Sequence, residues 1–255
     1  MKRLSIQLLL VIICCTLNLS SQSEAQTPTA NVDHSMHEGH QMHMSEADAA
    51  EDAAATAKRL ADKKESEFNH HLAGFFVVLG GLFMLAQGSL TNRWPSTRYV
   101  WPSTFLLSGI FVLALSDTEL WPFGHRQWLE ALQNNQEVLQ HKTFAVLLLA
   151  LGCIEWLRAT GGLKAVWARM VFPVLAVAGS VLLLFHHHEA GMHGPDHMEV
   201  MARIQSEHLQ YAMVGMGLGV SKGLAEFRMR GQTVFAALWP VLMVSLGLLL
   251  MFYTE

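Results

Sequence analysis

Cysteine is scarce in this chain, with three in 255 residues. Cys14 and Cys15 fall in the leading apolar stretch and Cys153 alone lies beyond it, which excludes a disulfide scaffold and a thiolate metal cluster. Charge is scarce too: charged residues make up 15% of the sequence, where an ordinary soluble domain has about 25%. Seventeen basic against twenty-one acidic residues give a net charge of −4, the wrong sign for a nucleic-acid partner. A phosphate loop, a nucleophile elbow and an ATPase signature are missing, and Gly215-x-Gly217 follows no predicted strand, so nucleotide is not an expected partner either. Two things are in excess. Apolar residues are 51% of the chain, with a mean hydropathy of +0.28, and there are 14 histidines.

The two ends differ from the body. Lys2 and Arg3, the apolar stretch Leu4–Leu19 and the small-x-small run Ser23-Glu24-Ala25 read as a secretory signal over 1–25. Ile13 stands where a lipoprotein signal needs a small residue, which favours ordinary cleavage before Gln26; an uncleaved anchor is the alternative. A polar tail follows over 26–45. The stretch 46–69 is rich in alanine and mixed charge, predicting a solvated helical arm of about 30 Å, with Ser45 and Asp48 as a capping pair.

From 70 to 254 apolar runs alternate with short polar connections. Leu72–Leu90, Tyr99–Ser116, Met170–Phe185 and Gly231–Thr254 carry no charge, and each is near the roughly 17–25 residues that cross a bilayer. Thr143–Ile154 and Leu209–Ser221 are shorter and need their flanks, with Glu155, Lys222 and Glu226 near an interface. The predicted fold is all-α, a polytopic bundle of six transmembrane helices arranged as three hairpins, in contact with the lipid bilayer.

Charge distribution sets the orientation. With the tail exported, the inner connections hold Arg93 and Arg98, then Arg158, Lys164 and Arg169, then Arg228 and Arg230, with no acid between them. The outer connections hold Asp117, Glu119, Glu130, Glu137, Glu189, Asp196, Glu199 and Glu207 against Arg126, Lys142 and Arg203. This is the positive-inside pattern, with both mature termini outside. The returning spans also resemble one another: Trp101-Pro102 precedes Gly109, Phe172-Pro173 precedes Gly179, and Trp239-Pro240 precedes Gly247. Each proline sits early in its span, where it costs least. Glu155 with Arg158, and Glu226 with Arg230, read as local ion pairs near the inner surface.

On this topology every histidine falls outside. In the tail, His34, His37, His40 and His43 recur at every third position, interleaved with Met36, Met42 and Met44. Imidazole suits copper, zinc and nickel, whereas thioether sulfur selects Cu(I), so the combination points to copper. Such capture needs neutral imidazole and weakens as pH falls through about 6.5. A second cluster follows the fourth span: His186, His187, His188, Met192, His193, His197, Met201 and His208, with helix predicted after Pro195 and with His197 and Met201 one turn apart. Carboxylates in that loop can fix imidazole tautomers. A third set is assembled by the fold. His71, His141, His186 and His208, with His70 and His187 as substitutes, mark the outer ends of four spans, and ionisable groups at such depths are usually functional.

The six-span body with His71, His141, His186 and His208, together with the His34–Met44 tail, resembles the bacterial copper-resistance D family of inner-membrane proteins. The resemblance implies a multi-pass inner-membrane protein with histidines near periplasmic helix ends. It implies copper uptake or handling, with a periplasmic chaperone or a cuproprotein acceptor as partner. The expected role is metal binding or transport rather than catalysis. The competing expectation is a membrane cytochrome with b-type haem on two of the same histidines; a catalytic copper centre acting on an unnamed small substrate is the third.

Overall fold

A computed structural model describes residues 46–185, 197–227 and 231–254. The signal and tail, with His34 to Met44, and the loop segment with His186, His187, His188, Met192 and His193 lie outside the described residues, as do Arg228 and Arg230. Among the described residues there are seven α-helices and no strand. These are α1 (Glu46–Leu90), α2 (Val100–Leu115), α3 (Trp128–Asn134), α4 (Gln136–Ala159), α5 (Ala168–Leu183), α6 (His197–Glu226) and α7 (Gln232–Met251), with a 3₁₀ turn at Pro95–Tyr99.

Helix α1 fuses the predicted arm to the first span. Its 45 residues run about 67 Å at 1.5 Å per residue, and nothing breaks it at His70. Two side chains hold the arm against the next connection: Glu65 Oε1 accepts from the Thr118 N–H at 3.1 Å and from its hydroxyl at 2.9 Å. Asn69 Nδ2 donates to the Ser116 carbonyl at 3.1 Å. Helix α6 begins at His197, where the sequence predicts helix after Pro195.

Among the described residues four helices are long and apolar enough to cross a membrane: Ala53–Leu90, Pro95–Leu115, Gln136–Ala159 and Gln232–Met251. The expected count is six. Helix α5 is apolar but has only 16 residues, and α6 mixes Arg203, Glu207, Lys222 and Glu226 into its 30. Helix α4 qualifies because Asn135 starts it well before its apolar run, the Asn135 side chain accepting from the Val138 N–H at 2.9 Å. These helices form a multi-pass membrane bundle.

Six helices close a ring. α1 packs on α2, α2 on α4, α4 on α5, α5 on α6, α6 on α7, and α7 back on α1. Taken as the hairpins α1–α2, α4–α5 and α6–α7, the ring has a threefold repeat with an aromatic knot on its axis. Trp101, Phe172 and Trp239 open α2, α5 and α7, and their ring centres form a triangle of 6.2, 5.9 and 5.8 Å. The three aromatic-proline pairs of the sequence are therefore one structural layer. Beyond that layer, away from the histidines, Lys222 Nζ lies 4.6 Å from the Trp239 ring centre. There Arg158 bridges Glu155 at 2.6 Å and Glu226 at 3.0 Å, and Lys222 meets Glu226 at 2.7 Å. Glu155 and Glu226, expected in separate local pairs, thus share one network between α4 and α6, because the ring brings those helix ends together.

Candidate metal centre at the histidine end

Chain direction alternates around the ring, so the start of one hairpin, the end of the same hairpin and the start of the next meet at one end. His70, His71, His141 and His208 all lie there, with Asp117 after α2 and Tyr253 after α7. A cavity of about 1380 Å³ opens between the helices at this end. Asn69, His70, Asp117, His141, Met201, His208 and Tyr211 line its upper part, and Phe105, Phe172 and Met243 its floor.

Each cavity histidine is oriented by an acceptor. His70 Nδ1 lies 2.8 Å from the Ser66 carbonyl, and His208 Nδ1 lies 2.8 Å from the Ile204 carbonyl, both one turn back on their own helix. His141 Nδ1 lies 3.1 Å from Asp117 Oδ1. Carbonyl and carboxylate oxygens only accept, so in the neutral ring Nδ1 carries the proton and Nε2 the lone pair. That is the tautomer a metal ligand needs, with the oxygen partner fixing the ring. Burial pushes the Asp117 carboxyl up, but the bond to His141, the charge that ring carries when protonated, and the bonds to Lys142 and Ser116 outweigh this and hold it down at about 2. Its other oxygen takes Lys142 Nζ at 2.6 Å.

His70 and His208, one on the first hairpin and one on the last, stand with ring centres 6.2 Å apart and planes at 85°. Tyr253 stacks on His70 at 4.0 Å and meets His208 edge-on at 6.4 Å, and Tyr211 lies 5.7 Å from His208. His208 is buried, only 4% exposed. His71 has a different task. Its Nε2 donates to the Tyr253 carbonyl at 2.9 Å, which ties the end of α7 to α1 and leaves His70, not His71, on the cavity. Among the described residues no three His, Cys, Asp or Glu side chains are gathered closely enough to share one ion. His141 lines the same cavity outside the His70–His208 pair.

The sequence contains a signal that singles out His70, His141 and His208. His70 precedes Trp101, His141 precedes Phe172 and His208 precedes Trp239, and the interval is identical in all three. A glycine also follows each histidine at one fixed interval, three turns on: Gly81, Gly152 and Gly219. A Cβ on Gly81 would meet Val244, one on Gly152 would meet Leu106, and one on Gly219 would meet Val177, all at 2.7–2.8 Å. Leu106, Val177 and Val244 in turn stand at one common interval after Trp101, Phe172 and Trp239. The histidines are equivalent positions of a triplicated hairpin.

No family model matches the chain, and neither the curated proteins nor the solved structures contain a significant match.

Proposed function

We propose that the protein binds copper at the histidine end of the bundle, for resistance, import or delivery to a cuproprotein. The observation that carries this reading is the His70–His208 pair. Two metal–nitrogen bonds of about 2 Å, plus about 1 Å from each nitrogen to its ring centre, span about 6 Å, and the observed separation is 6.2 Å. Met201, on the same cavity, adds the soft donor that favours Cu(I) over zinc. The tail, with its own histidines and methionines, captures the ion and passes it to this mouth.

Haem between the same two rings fits less well. The separations of 4.0, 6.4 and 6.2 Å put the Tyr253 ring centre about 4 Å from the midpoint of the pair, inside the roughly 5 Å radius that a porphyrin occupies. An ion fits beside Tyr253 where a macrocycle collides.

The same reading takes all six ring helices as spans, with α5 and α6 completed by the residues at their ends, and the histidine end facing the periplasm of a bacterial inner membrane. The bases at the opposite end support that orientation. It agrees with the resemblance to the copper-resistance D family and leaves the acceptor protein open. Metal analysis of the purified full chain tests it. Copper is retained stoichiometrically, and changing His70 and His208 together to alanine removes one equivalent; no copper, or an unchanged content in the double variant, overturns it.

A further inference from the structure

The threefold repeat says more about the centre than the pair does. The geometry points to a single Cu(I) ion on the axis of the ring, held by three nitrogens, one from each hairpin: Nε2 of His70, His141 and His208. This rests on the copper reading and adds to it the third ligand, the coordination number and the one-ion stoichiometry.

Two independent features make His141 the equal of the other two, and it shares a third with His70. The first is register, since each histidine precedes its member of the axial aromatic triangle by the same interval, His70 to Trp101, His141 to Phe172 and His208 to Trp239. Fixed spacing within each hairpin, combined with a closed triangle at the far end of that spacing, places the three histidines at one level around the axis. The second is tautomer. Each ring has Nδ1 turned to an oxygen, at 2.8, 3.1 and 2.8 Å for His70, His141 and His208, so each presents the same nitrogen as ligand. The third is the support one residue earlier. Asn69 Nδ2 donates to the Ser116 carbonyl at 3.1 Å and Gln140 Nε2 to the Phe185 carbonyl at 3.0 Å, so the residue before the histidine ties its helix to the far end of its own hairpin in two of the three repeats.

What differs is closure. His70 and His208 are already paired, whereas His141 is anchored to Asp117 and lines the cavity apart from them. Ligation does not require that anchor to break. The Nδ1–H of His141 keeps its bond to Asp117 while Nε2 binds the ion, and the carboxylate raises the basicity of the ring. Three nitrogens at 120° bring the ring centres to about 5 Å apart, so ligation closes the His70–His208 pair from 6.2 Å by about 1 Å and brings His141 inward at the start of α4, across the cavity that all three line.

X-ray absorption at the copper edge is the test, on full-length protein carrying substitutions at His34, Met36, His37, His40, Met42, His43 and Met44 and loaded with one equivalent of Cu(I). The expected spectrum has the edge shape of three-coordinate Cu(I) and three nitrogen scatterers at about 2 Å. In His141→Ala the spectrum becomes that of a two-coordinate ion, and affinity in competition with a chromophoric chelator falls about tenfold or more. A two-nitrogen linear centre in the parent protein, or a spectrum unchanged by His141→Ala, overturns the third ligand while the copper reading stands. Absence of bound copper overturns both. Because the parent spectrum alone decides the ligand count, the inference stays testable even if His141→Ala fails to fold.

Discussion

Asp117 shows how much a single side chain can carry at this end of the bundle. It is 8% exposed, shares its two oxygens between His141 and Lys142, and Lys142 in turn is only 7% exposed. Removing one partner of a buried pair costs about 3–5 kcal/mol because the other charge stays buried. Asp117→Asn is therefore expected to lower the melting temperature sharply, and Lys142→Met in the same chain to restore part of it; an unchanged melting temperature in Asp117→Asn would show that the pair does not support the fold. The pH dependence follows from the sign of the shift. A carboxyl held at about 2 instead of its ordinary 3.8 stabilises the folded chain at every pH above about 4. That contribution is lost as pH falls toward 2. Denaturation followed from neutral pH down through this range should show the Asp117→Asn variant losing less stability across the acid limb than the parent.

At the level of helices, the contacts between hairpins depend on three small residues, Gly81, Gly152 and Gly219. A side chain at Gly152 would come within 2.7 Å of Leu106 and 2.9 Å of its backbone nitrogen, and one at Gly219 within 2.9 Å of the Pro173 carbonyl. Close backbone approach of this kind is how helices associate in lipid, where no hydrophobic force drives them together. Gly152→Leu and Gly219→Leu should each destabilise the bundle by about 1–3 kcal/mol and reduce copper retention with it, since the crossing sets the position of the histidine three turns earlier on the same helix. Gly88→Leu is the control, because nothing lies within 4 Å of its missing Cβ. Equal losses in all three variants would show that the crossings are not what positions the centre.

For the whole molecule, the ring and the charge pattern together predict which end faces which compartment. Replacing Cys14, Cys15 and Cys153 with serine gives a background free of cysteine. In it, Gln133→Cys, in the last turn of α3, should react with a membrane-impermeant thiol reagent in intact cells. Ser96→Cys, in the turn between α1 and α2, should react only after the membrane is opened. Both positions are exposed in the fold, so equal reaction of the two in intact cells counts against the orientation.

The sequence by itself determined the all-helical membrane character, because hydropathy and helix length are local quantities that no partner is needed to read. It also grouped His71, His141, His186 and His208, with His70 and His187 as substitutes, at one end, because alternating spans turn position along the chain into position across the bundle. The aromatic-proline pairs are legible as three similar stretches, but their union in one layer comes from packing, since similarity along a chain does not say which copies touch. What the tertiary structure decided was which histidines meet. Neighbours such as His70 and His71 differ by about 100° around a helix, and only the packing of α1 against α7 turns one to the cavity and the other to the Tyr253 carbonyl. The same holds for Arg158, which the sequence pairs with Glu155 and which the ring also gives to Glu226. Contacts between elements far apart in the chain depend on closure of the ring, and closure is a property of all six helices at once.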